Sequence, residues 1–576
     1  MNRPRGFRRR LFVSFCASPP GSCKVSQTPF VSRLVSDTPS ADFKTRLFYG
    51  AAVLMAAFSF LVLLLEGNVA DFDIWHCIAA GASVWHTGHQ FTKDVFAFTP
   101  TYATIHHEWG AGLVYYFILN VLGQSGLMLW KVIAGFGCLT AALWCGHRNG
   151  ASMLALLLAA PLMAYGVLPG YWPVVRPHSF TYLGFALTLL LAEFARRGAF
   201  WPLVVWPLMT WGWMQTHGGF VAGFGAWGLI GLATLPDRRL FLRFLISGLV
   251  ALGLTLLNPW GFAYWPHQLK ALAHDRPSIP EWQPLPLFAS DSFNGFRILL
   301  PLSLVLVAVG WRKVPSRHWG GLALLVITAY LALHSRRHAP FFAITAAAFV
   351  TPYLEVFVSQ AFRVLGSMHT RSTGSTLPPQ AGPMVALGLH APLAIYMAMV
   401  QLPFASFHVS APRGLFPVRE ADILAAANMR GNLVAPYHMG GYLLWRLHPN
   451  YLVSMDGRYE VTYPESTHQM NLDFFFMRGD WQRILKQYPV DFVILDLYFS
   501  PLRPIDLEPL GFKVVLQDGD STALLVRETR LPELMKALPS PPTTTIDPLQ
   551  ASVAANWFRD GRYAPELAGP LLAPRE

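Results

Sequence analysis

The feature that most constrains this chain is a series of eleven apolar runs, each about as long as a membrane-spanning helix. The hydrocarbon layer of a bilayer is about 30 Å thick and an α-helix rises about 1.5 Å per residue, so a span takes about 20 apolar residues. The chain is 53% hydrophobic and 13% charged, which leaves more apolar surface than one water-soluble core could bury. We therefore predict a mostly α-helical, polytopic transmembrane bundle. Its apolar runs occupy residues 47–66, 127–145, 151–169, 179–195, 200–216, 219–235, 240–257, 297–311, 319–334, 339–358 and 384–403.

One further apolar segment, residues 109–121, decides the topology. It is shorter than a span, so we predict an interfacial or re-entrant helix there. With this segment left out of the count, the basic clusters that follow the spans all fall on the side of the N-terminus, which the positive-inside rule assigns to the cytoplasm. If the segment crossed, every cluster would move to the outer side. The clusters are Arg148, Arg196 with Arg197, Arg238 with Arg239 and Arg243, Arg312 with Lys313 and Arg317, and Arg363 with Arg371.

This topology divides the chain into four regions. Residues 1–45 form a basic cytoplasmic tail, whose charges fit a membrane anchor and not a nucleic-acid partner. Residues 46–403 form the bundle, with a first outer loop at 68–108. Residues 404–530 form a soluble periplasmic α/β domain, because short β-rich runs alternate there with helix-like segments. Residues 531–576 form a Pro-rich tail with a terminal helix near 552–559.

The strand and helix predictions for the α/β domain follow from hydropathy periodicity. Strands are predicted at 432–435, 451–455, 491–495, 513–516 and 523–527, and helices at 442–447, 466–477 and 480–487.

Two aspartates at the start of the first outer loop are the first candidates for chemistry. Asp71 and Asp73 are two residues apart just outside a span, where they could hold a divalent cation such as Mg²⁺ or Mn²⁺, or act as a base. The alternative is a helix cap, with Asp73 as the N-cap of an amphipathic helix that contains Trp75, ends at Gly88 and lies flat on the membrane surface.

Other polar side chains fall on the same predicted outer face. His107 and Glu108 precede the short apolar segment, where they could bind an acceptor, a metal or only water. Arginines at span ends could hold a phosphate through the guanidinium fork, although such arginines also simply extend to the interface. The further candidates for substrate binding are Arg176, His178, His217, Glu281, Arg336 and Arg337.

Taken in order along the chain, these motifs resemble the bacterial GT-C class of polytopic glycosyltransferases, near the protein O-mannosyltransferase-like group. The resemblance covers most of residues 45–527. It rests on Asp71-x-Asp73-x-Trp75, His107-Glu108-Trp109, Arg176-Pro177-His178, His217-Gly218-Gly219, Asn258-Pro259-Trp260-Gly261, Glu281-Trp282-Gln283 and Gly440-Gly441-Tyr442-Leu443.

The resemblance implies transfer of a sugar, with inversion, from a polyprenyl-phosphate donor to a cell-envelope acceptor on the outer face. It further implies that Asp71 or Asp73 is the base and that a metal is optional. Within that reading, Glu108 and His107 position the acceptor, and Arg336 or Arg337 holds the phosphate. The alternative is a non-catalytic membrane protein, either a transporter of lipid-linked glycans or a scaffold that binds envelope partners.

Overall fold

The computed structural model describes residues 43–90, 93–103, 105–172, 174–273, 280–288, 295–314 and 317–538. The predicted basic tail up to residue 42, and the predicted tail beyond residue 538 with its terminal helix, lie outside the described residues. The described N-terminal two thirds of the chain is helical apart from two short strands. Its helices are α1 Phe43–Glu66, α2 Phe72–Thr87, α3 Trp109–Arg148, α4 Met153–Val167, α5 His178–Arg196, α6 Pro202–Thr216, α7 Val221–Leu232, α8 Arg238–Leu254, α9 Tyr264–Ala273, α10 Phe296–Gly310, α11 Trp319–His334, α12 Ala339–Phe349, α13 Thr351–Thr373 and α14 Ala381–Tyr396.

Each of the eleven predicted apolar runs lies on a helix or on two consecutive helices. Five helical stretches of the described chain are long and apolar enough to cross a membrane, and the bent pair Arg336–Phe349 and Thr351–Thr373 would make a sixth. Three more apolar helices are shorter, at Gly218–Leu232, Phe296–Gly310 and Trp319–His334. The chain is therefore a multi-pass membrane protein, and the count of eleven spans stays a prediction.

The short apolar segment is the first part of α3 and is set apart from the rest by a break. Gly123 has φ 63° and ψ −160° inside the helix, a conformation that glycine adopts without a steric penalty. Residues 109–122 therefore form a helix whose direction differs from that of residues 124–148. A separate short helix was predicted here, and whether it enters the membrane stays a prediction.

Helix α2 differs from its prediction in two ways. Its N-cap is Asp71, whose side chain accepts from the Asp73 N–H, so the assignment of the cap to Asp73 was wrong by two residues. The helix also does not lie flat on lipid, because Trp75 and Ile78 are buried and α2 packs between α3 and the C-terminal domain. The predicted end at Gly88 is confirmed, with φ 73° at that residue.

The C-terminal part contains a five-stranded mixed sheet. The two short strands of the membrane part are β1 Val69–Ala70 and β2 Val174–Val175, and the sheet consists of β3 Gly431–Val434, β4 Tyr451–Val453, β5 Phe492–Asp496, β6 Phe512–Asp518 and β7 Thr522–Arg527. Its strand order is β4-β3-β5-β7-β6, with β3 parallel to β4 and β5 and the other pairs antiparallel. The helices around it are α15 Val418–Ala427, α16 Tyr437–Leu447, α17 Tyr459–Thr462, α18 Glu465–Phe476, α19 Arg483–Gln487, α20 Pro504–Leu507 and α21 Leu531–Ala537. All five predicted strands are confirmed to within a few residues at their ends.

A glycine in α16 allows the C-terminal domain to pack closely on α2. A Cβ at Gly441 would lie 2.9 Å from the Phe72 carbonyl oxygen of α2. The adjacent Gly440 allows close packing inside the C-terminal domain, because a Cβ there would lie 2.0 Å from the Met455 carbonyl oxygen in the turn after β4. Both glycines lie inside the helix. One hydrophobic cluster continues from α2 and α3 into the sheet, so the outer loop and the C-terminal domain share a core.

Candidate active site

A two-stranded parallel sheet brings the first outer loop to the start of α5. β1 and β2 pair with their ends aligned, and the residues that follow them are Asp71 and Arg176. The Asp71 N–H continues the ladder by donating to the Val175 carbonyl oxygen over 3.3 Å. Because parallel strands in register end at the same edge, the two side chains meet there. Arg176 Nη1 lies 3.7 Å from Asp71 Oδ2.

Two arginines converge on one glutamate beside this pair. Arg176 Nη1 donates to Glu281 Oε2 over 2.7 Å, and Arg337 Nη1 lies 3.4 Å from Glu281 Oε1. The Arg337 guanidinium also stacks over the Trp282 ring, 4.2 Å from its centroid, and contacts His178 Nε2. Residues that are far apart in sequence thus form one positive patch that a single carboxylate bridges.

Asp73 occupies the side of the site that faces the C-terminal domain. A Cβ at Gly457 would lie 2.9 Å from Asp73 Oδ1, so the turn after β4 closes directly over this carboxyl group. The Asp73 carboxyl has no hydrogen-bond partner within the part of the chain that the structure describes. It is therefore open to a ligand in a way that the capping carboxylate of Asp71 is not.

Glu108 completes the group through a histidine whose tautomer the structure assigns. His217 Nδ1 accepts from the Gly219 N–H over 2.9 Å and lies 2.8 Å from Thr181 Oγ1. A neutral ring that accepts at Nδ1 carries its proton on Nε2. His217 Nε2 lies 3.4 Å from Glu108 Oε1, so it directs its proton at the carboxylate, and His107 Nε2 lies 3.7 Å from the same oxygen.

Burial and like charge raise the proton affinity of most of these carboxylates. Burial raises the pKa of Asp73 well above its usual value, and the neighbouring Asp71, Glu108 and Glu281 carboxylates raise it further. Burial raises the pKa of Glu108 to about 7 and also raises that of Asp71, although Arg176 opposes the second rise. Burial alone would raise the pKa of Glu281 too, but Arg176 and Arg337 outweigh it and hold the pKa at about 2.

The structure brings together nine of the ten residues that the sequence singled out. Arg336 is the exception, because its Nε donates to the Pro284 carbonyl oxygen over 3.3 Å, and the adjacent Arg337 is the arginine that reaches Glu281. The nine that converge are Asp71, Asp73, His107, Glu108, Arg176, His178, His217, Glu281 and Arg337.

Sequence reasoning missed two residues that shape the site, Thr181 and Gly457. Thr181 supports His217, and Gly457 borders Asp73. Trp282, which stacks on Arg337, was part of the Glu281-Trp282-Gln283 motif but was given no role of its own. Thr181 and Gly457 carry no signal in their own sequence neighbourhood, since each matters through a contact with a distant segment.

A second charged cluster joins the outer loop to the C-terminal domain. Arg458 Nε and Nη2 donate to the two carboxylate oxygens of Asp456 over 2.8 and 2.6 Å, and Arg458 Nη1 donates to Asp94. Tyr463 Oη donates to the same Asp456 carboxylate over 2.5 Å, and His106 Nε2 lies 3.2 Å from Arg458 Nη1. Asp456 and Arg458 are both buried here and serve to hold the two parts together.

The described residues include no group of three or more His, Cys, Asp or Glu side chains arranged to hold a metal ion. The predicted cation at Asp71 and Asp73 therefore gains no support from their geometry, and it stays a prediction. One oxygen of Asp71 is already used by the helix cap, and the other faces Arg176.

The fold and the site define a class of protein. The chain is a multi-pass membrane protein in which arginines and carboxylates converge at one end of the helices, beneath a C-terminal α/β domain. Neither a protein-family model nor a curated protein matches the chain.

Solved structures do match the fold. The archaeal oligosaccharyltransferase AglB from Archaeoglobus fulgidus, in complex with an inhibitory peptide and a dolichol-phosphate, aligns with a TM-score of 0.55 at 12% identity, over 79% of this chain and 70% of that chain. The apo form of the Archaeoglobus fulgidus oligosaccharyltransferase gives 0.54 at 13% identity, over 80% and 70%. At this identity the likeness concerns the fold alone. The chain shares the fold of these oligosaccharyltransferases, as the predicted GT-C-like fold requires, while the transferase activity and the mannosyltransferase-like group stay predictions.

Proposed function

We propose that this protein is a membrane glycosyltransferase that transfers a sugar from a polyprenyl-phosphate donor to a cell-envelope acceptor on the periplasmic face. The observation that carries the proposal is the convergence of Arg176 and Arg337 beside Asp71, Asp73 and Glu108 at one end of an apolar helix bundle. The GT-C-like fold supports it, since a structure with the same fold contains a lipid phosphate, dolichol-phosphate.

The donor phosphate would bind to the two guanidinium groups. Arg176 and Arg337 already share one carboxylate, Glu281, and their remaining N–H groups are held in place by that contact and by the Trp282 ring. A guanidinium fork matches the oxygens of a phosphate, and the charge-assisted hydrogen bonds strengthen as negative charge develops on the leaving group. The isoprenoid chain would then extend along the apolar helices.

Asp73 is the base that we prefer of the two aspartates. Its carboxyl group has no hydrogen-bond partner among the described residues, whereas Asp71 caps α2 and faces Arg176. The raised pKa of Asp73 makes its ionised form a stronger base than an exposed aspartate. The acceptor oxygen or nitrogen attacks the anomeric carbon, its proton passes to Asp73, and the electron pair of the breaking C–O bond leaves with the lipid phosphate.

The acceptor would enter between Glu108 and the C-terminal domain. His217 and His107 orient Glu108, which can accept a hydrogen bond from the acceptor. The carboxyl ends of the parallel strands β3 and β4 point to this side, and the turn after β4 touches Asp73. Ligands of open α/β sheets commonly bind at the carboxyl ends of strands, which supports a binding role for this edge.

The experiment that tests the proposal is a transfer assay with the purified full-length protein in nanodiscs and a panel of radiolabelled polyprenyl-phosphate sugars. Wild-type protein should move label from at least one donor to envelope acceptors. Asp73→Asn should lower the rate by at least about 100-fold, because it removes the proton acceptor. Asp71→Asn should lower it less, since the amide oxygen can still cap α2.

Asp237→Asn is the matched control. Asp237 is also an N-cap aspartate, since its carboxylate accepts from the Arg239 and Leu240 N–H groups at the start of α8. It stands at the other end of the bundle, so its variant should transfer at the wild-type rate. Full activity of Asp73→Asn, or the absence of transfer from every donor of the panel with wild-type protein, would refute the proposal.

A further inference from the structure

A second polar cavity lies at the opposite end of the bundle from Asp71. Helix α5 begins at His178 in the candidate active site and ends at Arg196 after 19 residues, a rise of about 28 Å. At this far end, a small cavity that is partly open to the outside is lined by side chains that include Arg196, Arg317 and Tyr353. This end is the one that the positive-inside rule assigns to the cytoplasm.

Both arginines of this cavity are oriented by fixed acceptors. Arg196 Nε and Nη2 donate to the buried Glu193 carboxylate over 2.8 and 2.9 Å, and Arg317 Nε and Nη2 both donate to the Trp311 carbonyl oxygen over 3.2 Å. Each guanidinium is thus held by one edge, and the other edge keeps N–H groups for a further acceptor. A fork that is already oriented loses less entropy when it binds an anion.

Tyr353 provides an independent sign of a ligand. Its side chain is 3% exposed, it lines the cavity, and its hydroxyl has no hydrogen-bond partner among the residues that the structure describes. A buried hydroxyl without a partner costs about 1–3 kcal/mol, so such groups are usually satisfied by something. An arginine that merely extends to the interface would not explain this hydroxyl.

The charge balance around the cavity favours an anion. The Glu193 carboxylate, which pairs with the lining residue Arg196, is already shared by Arg196, Arg197 and His318. Glu355 accepts from the Ser152 N–H and from Ser359 instead of from these arginines. These two carboxylates are outnumbered by the cationic side chains on the neighbouring chain segments, which are Arg148, Arg196, Arg197, Arg312, Lys313 and Arg317.

Aromatic side chains at this level indicate a membrane interface. Trp319 packs against Trp311 with ring centroids 5.7 Å apart, and Trp319, Trp201 and Phe200 are each at least half exposed. Tryptophans are enriched where the hydrocarbon layer meets water, and basic pockets between helices on the cytoplasmic side bind lipid head groups. A head group can therefore reach the cavity while its chains stay in the bilayer.

We propose that this cavity binds the phosphate head group of an anionic phospholipid of the inner leaflet, with Arg196 and Arg317 on the phosphate oxygens and Tyr353 donating its hydroxyl proton. The site is separate from the proposed transfer reaction. It would tie the bundle to anionic lipid at the end remote from the donor.

The test uses the full-length protein in phosphatidylcholine nanodiscs that contain 0 to about 30% phosphatidylglycerol, with bound lipid counted by native mass spectrometry. Wild-type protein should retain phosphatidylglycerol in preference to phosphatidylcholine. Arg317→Gln should weaken that retention by about 10-fold, and Tyr353→Phe, which removes one oxygen and keeps the packing of the ring, by about threefold. Arg363→Gln, a matched charge removal at an exposed site on α13, should leave it unchanged.

A second arm separates lipid from free phosphate. Inorganic phosphate at about 10 mM should not raise the thermal unfolding midpoint in pure phosphatidylcholine nanodiscs. If phosphate raised the midpoint of wild-type protein and not of Arg317→Gln, the site would bind free phosphate and the lipid assignment would be wrong. Equal retention of phosphatidylglycerol by wild-type protein, Arg317→Gln and Tyr353→Phe would overturn the proposal entirely.

Discussion

Two clusters of arginine and carboxylate in this molecule use the same chemistry with opposite outcomes. At Arg458, one guanidinium is enclosed by Asp94 and Asp456, and these side chains are 0 to 3% exposed. At Glu281, two guanidiniums share one carboxylate whose side chain is 31% exposed, and the nearby Asp73 carboxyl group has no hydrogen-bond partner among the residues that the structure describes. The first cluster is saturated, whereas the second keeps donors and a base for something else.

The pKa values follow the same division. Burial by itself would raise the pKa of Asp456, but Arg458 and Tyr463 hold it well below its usual range. Asp73 has no such partner, so burial and its carboxylate neighbours raise its pKa. A buried charge that is fully paired holds two parts of the fold together. A buried charge that is incompletely paired can exchange a proton or bind an ion. Four predictions would break or sharpen this distinction.

The largest effect is expected from a substitution in the fully paired cluster around Arg458. Arg458→Met leaves Asp94 and Asp456 buried without a cation, which should lower the free energy of unfolding of the C-terminal domain by about 3–5 kcal/mol. Denaturant unfolding of the purified protein measures this. Lys486→Gln is the control, because Lys486 and Asp480 form a surface pair about 60% exposed, and its loss should cost less than about 1 kcal/mol. An unchanged denaturation midpoint for Arg458→Met would show that the Arg458 cluster does not stabilise the fold.

Substitutions in the cluster around Glu281 should change the transfer activity and not the stability. Arg337→Gln should lower kcat/KM for transfer by about 30-fold, since a hydrogen bond to a charged group contributes about 1.5–3 kcal/mol. Arg337→Lys should also be impaired, because an ammonium lacks the planar fork and does not stack equally on Trp282. The unfolding midpoint of both variants should stay close to that of the wild type. Loss of folding together with activity would place Arg337 with the structural group.

The two clusters should also respond to pH with opposite signs. The folded pKa of Glu108 is raised from 4.5 to about 7, so this group stabilises the fold fully below about pH 4.5 and loses that contribution as pH rises to about 7. The folded pKa of Asp456 is lowered from 3.8, so its contribution is present above that value and is lost only in stronger acid.

Unfolding curves between pH 3 and pH 8 would measure this. Glu108→Gln should reduce the loss of stability between pH 5 and pH 8 by on the order of 1–2 kcal/mol. Glu420, whose pKa burial also raises to about 7, adds its own slope to both proteins, so the difference between them is the quantity of interest. An identical pH slope in both would contradict the raised pKa of Glu108.

The smallest effect is expected at the neighbour of Arg337. Arg336→Gln should change kcat/KM by less than about threefold, because the Arg336 side chain donates to the Pro284 carbonyl oxygen and not to Glu281. The two variants remove the same charge one residue apart. Any difference between their steady-state transfer rates therefore reports the direction in which each side chain points and not the loss of charge. Equal losses in Arg336→Gln and Arg337→Gln would mean that only the general positive field matters.

Much of the fold was predictable because its signals are local. The apolar runs specify helices, and the alternation of β-rich and helix-like segments in residues 431–527 specifies the sheet strands. Gly88 ended α2 as predicted, since a left-handed cap favours glycine. The cap at Asp71 was missed because two aspartates stand two residues apart and both are good cap residues.

The candidate site was predictable as a set of residues and not as an arrangement. β1 and β2 have two residues each, too few for a periodic pattern, yet their register sets Asp71 beside Arg176. The sequence could not choose between Arg336 and Arg337 either. They lie in one turn of 3₁₀-helix, where adjacent side chains point about 120° apart, and the packing of that turn selects Arg337.

The sequence by itself determined that the chain crosses a membrane, that a small α/β domain follows, and which polar residues stand at the ends of the apolar helices. Hydropathy and periodicity are properties of short segments, so they can be read without knowing what each segment touches. The tertiary structure alone decided that α2 is buried under the C-terminal domain, that Arg458 lies between two aspartates, and that the Asp73 carboxyl group has no partner in the described part of the chain. Those outcomes depend on contacts between segments hundreds of residues apart, such as the close backbone approach of Gly441 to Phe72.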